Sequence, residues 1–458
     1  MAYQYQKREI NGDTLTPIAI FNRLQGEKKF ILESSSNHQD KGRFSFIGVN
    51  PFKEMIGEGE ETIIKVDGQT ETLIGKPLEI VKQHIPQVDL GLPFDFYCGA
   101  VGYVGYDSIR QYAEIGSVLD DEIDMPDIHF MIYQDVLIFD HKNQSLTLIA
   151  VDLSKSRSHS ALKARLDQLV DQIFTDPKEQ HDKVTKLTFE SSLDQATFIE
   201  KVKEIQRYIY EQDVSQVVLS QRMKAHFTGD PFSFYRRLRL SNPSPYMFYL
   251  DFDDYLVLGT SPESLVKVNE RTVITNPIAG TKPRGNTPML DKALADELLA
   301  DPKERAEHEM LVDLSRHDLS KICKQGSIQI PKYMVIERYQ YVMHIVSEIT
   351  GRLDEPYTSI DALISLFPAG TVSGAPKIKA MQIINDLEQV KRGVYAGAIG
   401  YINMNGDLDF ALAIRTMVIK DNQAYVQAGA GIVHDSDPST EYQETLNKAK
   451  ALLEVVQS

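Results

Sequence analysis

Two proline-started helices carry acids on faces that an ordinary amphipathic helix would keep apolar or fully solvated. Asp301-Pro302 supplies a capping residue and then proline at the first helical position. From there Glu304, Glu307, Leu311 and Leu314 recur at +3, +4 and +3. At about 100° per residue these four share one stripe, two carboxylates beside two leucines. Asp437-Pro438 opens a second helix in the same way, with an apolar stripe of Tyr442, Leu446, Ala449, Leu453 and Val456. Glu441, Glu444 and Lys448 form a separate stripe on it. Burying bare carboxylates is costly, and clustered ones raise each other's pKa. A divalent cation relieves both, and oxygen donors without Cys or His suit Mg2+ better than zinc. The same spacing is met by solvated acidic faces or by pairing with Lys and Arg.

The elements that must position such groups are read from periodicity. Phe30–Leu32, Phe44–Gly48, Phe130–Tyr133 and Ser145–Val151 are apolar or alternating runs that predict strands. A helix is expected near Ser158–Phe174, with Leu162, Leu166, Leu169 and Ile173 on one face. Polar, proline-bearing Thr175–Lys183 reads as a linker. It divides the chain into an N-terminal lobe, 1–180, and a C-terminal domain, 181–458. Beyond it, Phe198, Val202, Ile205 and Ile209 mark another helix, and Val214–Met223 a strand. Residues 394–433 read as an antiparallel meander with turns at Asn405-Gly406 and Asp421-Asn422 and one strand over 408–419. Strands that follow one another without helical crossovers favour an α+β class over a doubly wound parallel sheet.

The chain has 458 residues, 42% apolar and 25% charged, with a net charge of −16. That size allows a large core and two lobes. The acidic balance argues against nucleic acid as a partner, because phosphate binding needs a basic patch. An anionic substrate would need local cations. The two cysteines, Cys98 and Cys323, build neither a disulfide framework nor a thiolate metal site, so a reducing cytoplasm is expected. The first residues hold no apolar signal segment, and no apolar run is long enough to span a membrane.

Six segments, in order, resemble the chorismate-utilising enzymes, and within them the anthranilate-forming branch. They are Ser261–Glu263, Pro277–Thr281, Glu307–Leu314, Tyr341–Ser347, Phe367–Lys377, and Gly429–Val433 continuing through Asp435-Ser436 to Glu441–Thr445. The resemblance spans roughly 200–458. It implies two antiparallel sheets packed as a sandwich and ringed by helices, with the site in a cleft between them. It departs at Arg316-His317-Asp318, where the family has asparagine in the middle; that position is expected to lie away from the cleft.

The resemblance also implies roles. Glu307 and Glu444 match the Mg2+ ligands, with Glu304 and Glu441 one turn earlier as further acids. Tyr395, Arg415 and Lys448 match groups that hold the substrate's carboxylates, and an arginine fork suits a carboxylate. Strand alternation would put Arg415 on one face with the small Ala411 and Ala413. Gly429 and Gly431 would let backbone N–H groups approach an anion. Gly280, Thr281 and Thr371 would line the ring pocket. Glu263 matches the general acid that protonates the departing C4 hydroxyl, and His344 the histidine of the later aromatising step.

The nucleophile is implied by two positions. A water-activating lysine in the isochorismate-forming branch is replaced by Gln216, expected near the end of a strand Gln216–Ser220. A lysine common in the aminodeoxychorismate-forming branch is replaced by Ala279. Ammonia needs neither. Cys98 and Cys323, the latter expected on a helix, lack the elbow of a glutaminase nucleophile, so a separate glutamine amidotransferase subunit would supply ammonia. Leu32–Ser36 and Asn242–Phe248 resemble the two halves of a tryptophan feedback site, with Ser34, Pro245, Tyr246 and Met247 as contacts. The alternatives are an aminodeoxychorismate-forming enzyme and a catalytically silent amino-acid sensor on the same fold.

Overall fold

The apolar and alternating runs become strands of two large antiparallel sheets. The computed structural model describes residues 3–35, 42–175, 187–339 and 341–455. Ser36, Val456 and the linker from residue 176 onward fall outside them. The first sheet runs, strand by strand, Tyr5–Asn11, Ser145–Val151, Asp135–Asp140, Phe44–Gly48, Phe30–Glu33, Tyr246–Asp251, Tyr255–Ser261, Thr416–Lys420, Gln423–Ile432, Gln216–His226 and Glu190–Ser191. The second runs Ile278–Pro283, Val342–Arg352, Thr272–Thr275, Ser264–Asn269, Leu408–Leu412, Ala398–Asn403, Gly99–Val104, Ile128–Tyr133, Lys53–Glu58, Glu61–Val66 and Gln69–Ile74. Each sheet holds a block of strands from before 176–186 and a block from after it, and the blocks join at one pairing: Phe30–Glu33 with Tyr246–Asp251 in the first sheet, and Gly99–Val104 with Ala398–Asn403 in the second.

One continuous core joins the inner faces. Leu250 and Val257 of the first sheet belong to the same cluster as Val101, Phe130 and Phe410 of the second. Sheets stacked this way bury large side chains from both partners, the main favourable term in folding. Helices cover the outside: Leu166 of His159–Phe174 and Tyr235 of Pro231–Ser241 pack with Leu148 on the outer face of the first sheet. The α+β sandwich expected from the sequence is the architecture found. Among the described residues no helix is long and apolar enough to cross a membrane.

Both acidic helices start where their caps predict. Asp301 accepts from the N–H groups of Lys303 and Glu304, and Asp437 from that of Thr440. The helices run Pro302–Ser320 and Pro438–Leu453. On the second, the enclosed residues are Thr445, Ala449 and Leu452, while Tyr442, Leu446 and Leu453 are only partly covered, so the buried face is rotated from the expected stripe.

Three other expectations are corrected. The strand read over 408–419 is two strands in different sheets: Leu408–Leu412 lies in the second and Thr416–Lys420 in the first. Gln216 begins a strand that continues to His226, so Gln216–Ser220 is its start. Cys323 lies beyond the helix, in an isolated bridge with Leu353.

The second sheet depends on glycine where backbones meet closely. A Cβ on Gly400 would stand 2.0 Å from the carbonyl oxygen of Asp409 on the paired strand. Gly400→Ala is therefore expected to cost about 2 kcal/mol or more. A thermal melt unchanged from the parent chain would contradict it.

Candidate active site

Glu263 follows the strand Tyr255–Ser261 where the two sheets come together. Its backbone carbonyl accepts from Leu412 N–H at 2.9 Å, and Thr371 Oγ1 donates to its Oε1 at 2.8 Å. Among the described residues the carboxyl makes no ion pair. Burial outweighs the Thr371 bond and the charges of Lys448 and Arg415, and pushes it up to about 7. A share of it is therefore protonated near neutral pH. A cavity of about 30 Å³ beside it is lined by Leu311, Leu314, Asp318 and Gly370. That volume suits a water.

His344 faces a bulge. The register of Ile278–Pro283 against Val342–Arg352 slips between Ala279 and Thr281, and Gly280 has φ +73°. That backbone brings the Gly280 carbonyl to 3.0 Å from His344 Nδ1, with Thr281 Oγ1 also at 3.0 Å. A carbonyl only accepts, so Nδ1 carries the proton and Nε2 keeps its lone pair. Burial lowers the imidazole to about 4, with Arg415 and Lys448 adding to the effect, so it is neutral near pH 7. Tyr339 packs edge-on against it, ring centroids 5.2 Å apart at 71°. A Cβ on Gly280 would meet Glu304 Oε2 at 2.8 Å, so this acid lies against the same bulge.

The second acidic helix packs on the glycine-bearing strand Gln423–Ile432, and the first reaches it through Gln216. Gln216 Nε2 donates to Glu307 Oε1 at 3.0 Å and lies 2.7 Å from where a Gly431 Cβ would be. From the other helix Lys448 Nζ donates to Gly429 O at 3.0 Å and pairs with Glu444 at 2.7 Å. Glu307 and Glu444 thus both connect, through one side chain each, to a strand segment three residues long. Burial raises Glu304 above the usual carboxylate range, helped by Glu307; burial likewise raises Glu441, helped by Glu444. Among the described residues no three His, Cys, Asp or Glu side chains are gathered closely enough to hold an ion together. The oxygen-only donor set and the suppressed ionisation of two of its acids fit a hard divalent cation.

Arg415 does not share a strand face with Ala411 and Ala413. It lies in the passage between the two sheets, with φ 49°. Its carbonyl accepts from Thr260 N–H at 3.1 Å. Among the described residues its guanidinium has no hydrogen-bonded or ion-paired partner, and burial pulls it below its ordinary value. A half-buried guanidinium without a direct ion pair is an attractor for a carboxylate. Tyr395 is buried, its hydroxyl 2.7 Å from where a Gly429 Cβ would be.

The two segments read as an effector site also meet. Met247 pairs with Glu33, and Ser35 N–H donates to Ser244 O at 3.1 Å. Among the described residues Ser34 Oγ is buried without a hydrogen-bond partner, while the Tyr246 hydroxyl bonds Asp409 at 2.9 Å. Pro245 and Met247 are buried beside them. Tyr246 pairs directly with Ser261, two residues before Glu263.

Sequence reading missed Asp318 and Tyr339. His317 is exposed, as expected for its position, but the next residue, Asp318, lines the cavity beside Glu263 and binds Lys377 at 2.6 Å. Its i, i+4 spacing from Leu314 was a usable signal. Tyr339 offered none, because its contact with His344 is made across a turn.

The chain matches over residues 27–454 the family described as chorismate binding enzyme. Anthranilate synthase component 1 of Lactococcus lactis subsp. lactis is 47% identical over 457 residues, covering 98% of this chain and 99% of the relative. The protein of the same name from Aquifex aeolicus is 42% identical, covering 98% and 94%. The crystal structure of anthranilate synthase component I from Streptococcus pneumoniae superposes with a TM-score of 0.84 at 45% identity, covering 97% of this chain and 98% of that one. The menaquinone-specific isochorismate synthase of Escherichia coli, at 20% identity and a TM-score of 0.76, shares the fold.

Glu263 gives a stability test. Its folded pKa is raised, so ionising it opposes folding; the cost starts above the ordinary carboxylate value and is complete above about 7. Glu263→Gln is neutral at every pH. Relative to the parent chain it should gain stability between pH 5 and 8, by up to about 3 kcal/mol. Denaturant melts at both pH values measure the difference, and a gap that does not widen with pH contradicts the enclosed acid.

Proposed function

This chain belongs to the family of chorismate-binding enzymes, and on that premise we propose that it converts chorismate and ammonia to anthranilate and pyruvate, the first step towards tryptophan. The observation that supports this best is the placement, at one junction between the sheets, of a buried acid pushed up to about 7, Glu263, and a half-buried guanidinium, Arg415, that has no hydrogen-bonded or ion-paired partner among the described residues. The proteins of Lactococcus lactis, Aquifex aeolicus and Streptococcus pneumoniae named above bear the name anthranilate synthase.

Arg415 and Tyr395 hold the enolpyruvyl carboxylate, with Lys448 and the N–H groups near Gly429 and Gly431 as further contacts. Thr281, Thr371 and Gly280 flank the ring. Ammonia forms a bond to C2, the ring double bonds shift, and the C4–O bond breaks. Glu263 gives its proton to the departing hydroxyl, which leaves as water. The added nitrogen sheds a proton to solvent, the C2 proton is removed and the C3–O bond breaks, so that the ring becomes aromatic and the group departs as enolpyruvate, which takes a proton at its methylene carbon to become pyruvate. His344, neutral with Nε2 unprotonated, is the acceptor available for that second stage. Gln216 and the small, buried Ala279 leave no lysine to activate water or attack the ring.

Glu307 and Glu444 would hold Mg2+, with Glu304 and Glu441 behind them. When bound, the ion supplies electron withdrawal at the ring carboxylate and an anchor for it. Ammonia comes from glutamine through a separate amidotransferase subunit. The reading is supported by Cys98 and Cys323, which are buried with thiols pushed up by burial, the latter to about 11. Neither is a nucleophile at neutral pH. Tryptophan at Ser34, Pro245, Tyr246 and Met247 would act on catalysis through the strand pair Tyr246–Ser261, which leads to Glu263.

Incubation of the chain with chorismate, Mg2+ and ammonium should yield anthranilate, followed by fluorescence and mass, and chelation should abolish it. Ala279→Lys should lower the anthranilate yield at least tenfold. An aminodeoxychorismate product from the parent chain would move it to the other aminating branch, and no consumption of chorismate would leave the silent sensor.

Tryptophan should inhibit the same assay and bind the purified chain by calorimetry. Neither inhibition nor binding would remove the feedback reading while leaving the chemistry intact.

A further inference from the structure

An ion pair outside the groups assigned above ties several of them together. Glu388 ends the helix Lys377–Glu388, and Arg392 follows four residues later. Their side chains are 4% and 1% exposed. The arginine fork takes the carboxylate with two bonds, Nε to Oε2 at 2.8 Å and Nη2 to Oε1 at 2.7 Å. Nη1 donates to the carbonyl of Val372 at 2.7 Å, and Nη2 also to that of Val218 at 2.8 Å. Glu388 Oε1 accepts from Ser220 twice, from N–H at 2.8 Å and from Oγ at 2.7 Å. The guanidinium lies 5.4 Å from the centroid of the Tyr395 ring.

Each anchor borders a substrate group. Val372 follows Thr371, which holds Glu263. Val218 pairs with Gly431 and Ser220 with Gly429. Tyr395 is itself one of the carboxylate-binding candidates. A buried ion pair is weak evidence for stability, because apolar residues of similar volume often serve as well. What apolar residues cannot do is bond two carbonyls and a carboxylate from separate segments in one plane. Lysine cannot reproduce that planar fork either.

We infer that the Glu388–Arg392 pair is a positioning device for the substrate cleft, holding Thr371, Tyr395 and the strand of Gly429 and Gly431 at fixed separations. This rests on the proposed function, since the spacing matters only if those groups share one ligand. Misplacing them would weaken the grip on chorismate more than the handling of ammonia, which none of them contacts. Loss of a merely structural pair would lower the amount of active protein and the apparent kcat, but leave KM alone.

The test compares the parent chain with Arg392→Lys and Glu388→Asp, both of which keep the charges and distort the fork. Thermal melts report folding, and anthranilate formation gives kcat and KM for chorismate and for ammonium separately. At least one variant should melt as a folded protein with its KM for chorismate raised tenfold or more and its KM for ammonium changed less than twofold. Folded variants that keep the parent KM for chorismate overturn the inference while the functional reading stands. Failure of both variants to fold overturns it too, because the pair would then serve stability. A parent chain that forms no anthranilate overturns the functional reading, and the inference with it.

Discussion

Glu263 is a buried carboxyl that makes no ion pair among the described residues, and the cost of ionising it there is the central constraint at the junction of the two sheets. Water would favour the carboxylate; the meeting of two sheets takes that water away. One threonine hydroxyl and the more distant charges of Arg415 and Lys448 oppose the shift without cancelling it. The result is an acid that can lend a proton near neutral pH. A fully paired carboxylate at the same position could not.

The fold supplies this setting through long-range pairing. The strand preceding Glu263 belongs to the first sheet and the strand following it to the second. Ser261 and Leu412 exchange contacts across the junction, with the serine hydroxyl on the leucine carbonyl at 2.6 Å. The histidine side is set by different means. A one-residue slip in a ladder turns a carbonyl toward the imidazole and so decides which nitrogen keeps its proton. Bulges re-aim groups in this way at the rims of sheets. Enclosure thus disfavours the charged form of both groups, while the directed carbonyl, which by itself would favour the charged imidazole, sets the tautomer of the histidine.

Local signals were readable in the sequence and distant ones were not. Asp301-Pro302 and Asp437-Pro438 announce their helices because capping and proline act within one turn. The buried face of Pro302–Ser320 was read only in part: Leu311 of the expected stripe is buried, together with His308, Val312, Asp318 and Leu319, which that stripe omits. The change of sheet after Leu412 has no such signature: residues 408–419 alternate well enough to look like one strand, and only pairing with distant strands splits them. Arg392 was equally hidden. Nothing local to Lys391-Arg392-Gly393 marks the arginine as buried, yet carbonyls from two far segments receive it. Ordered family motifs supplied the remaining candidates, and the structure brings Glu263, His344, Gln216 and the acidic helices into one region through contacts no periodicity contains.

The passage Ala413–Arg415 is tethered at both ends. Ala413 exchanges backbone bonds with Ala396 and Gly397 on the side of the second sheet, at 2.9 and 2.8 Å, and Arg415 is held by Thr260 in the first. Adding or deleting a single residue there would slide one ladder by one position and turn inward side chains outward along a whole strand. Length variation among descendants of this gene must therefore accumulate in surface connections, while these three residues act as a ruler that evolution can repaint but not lengthen.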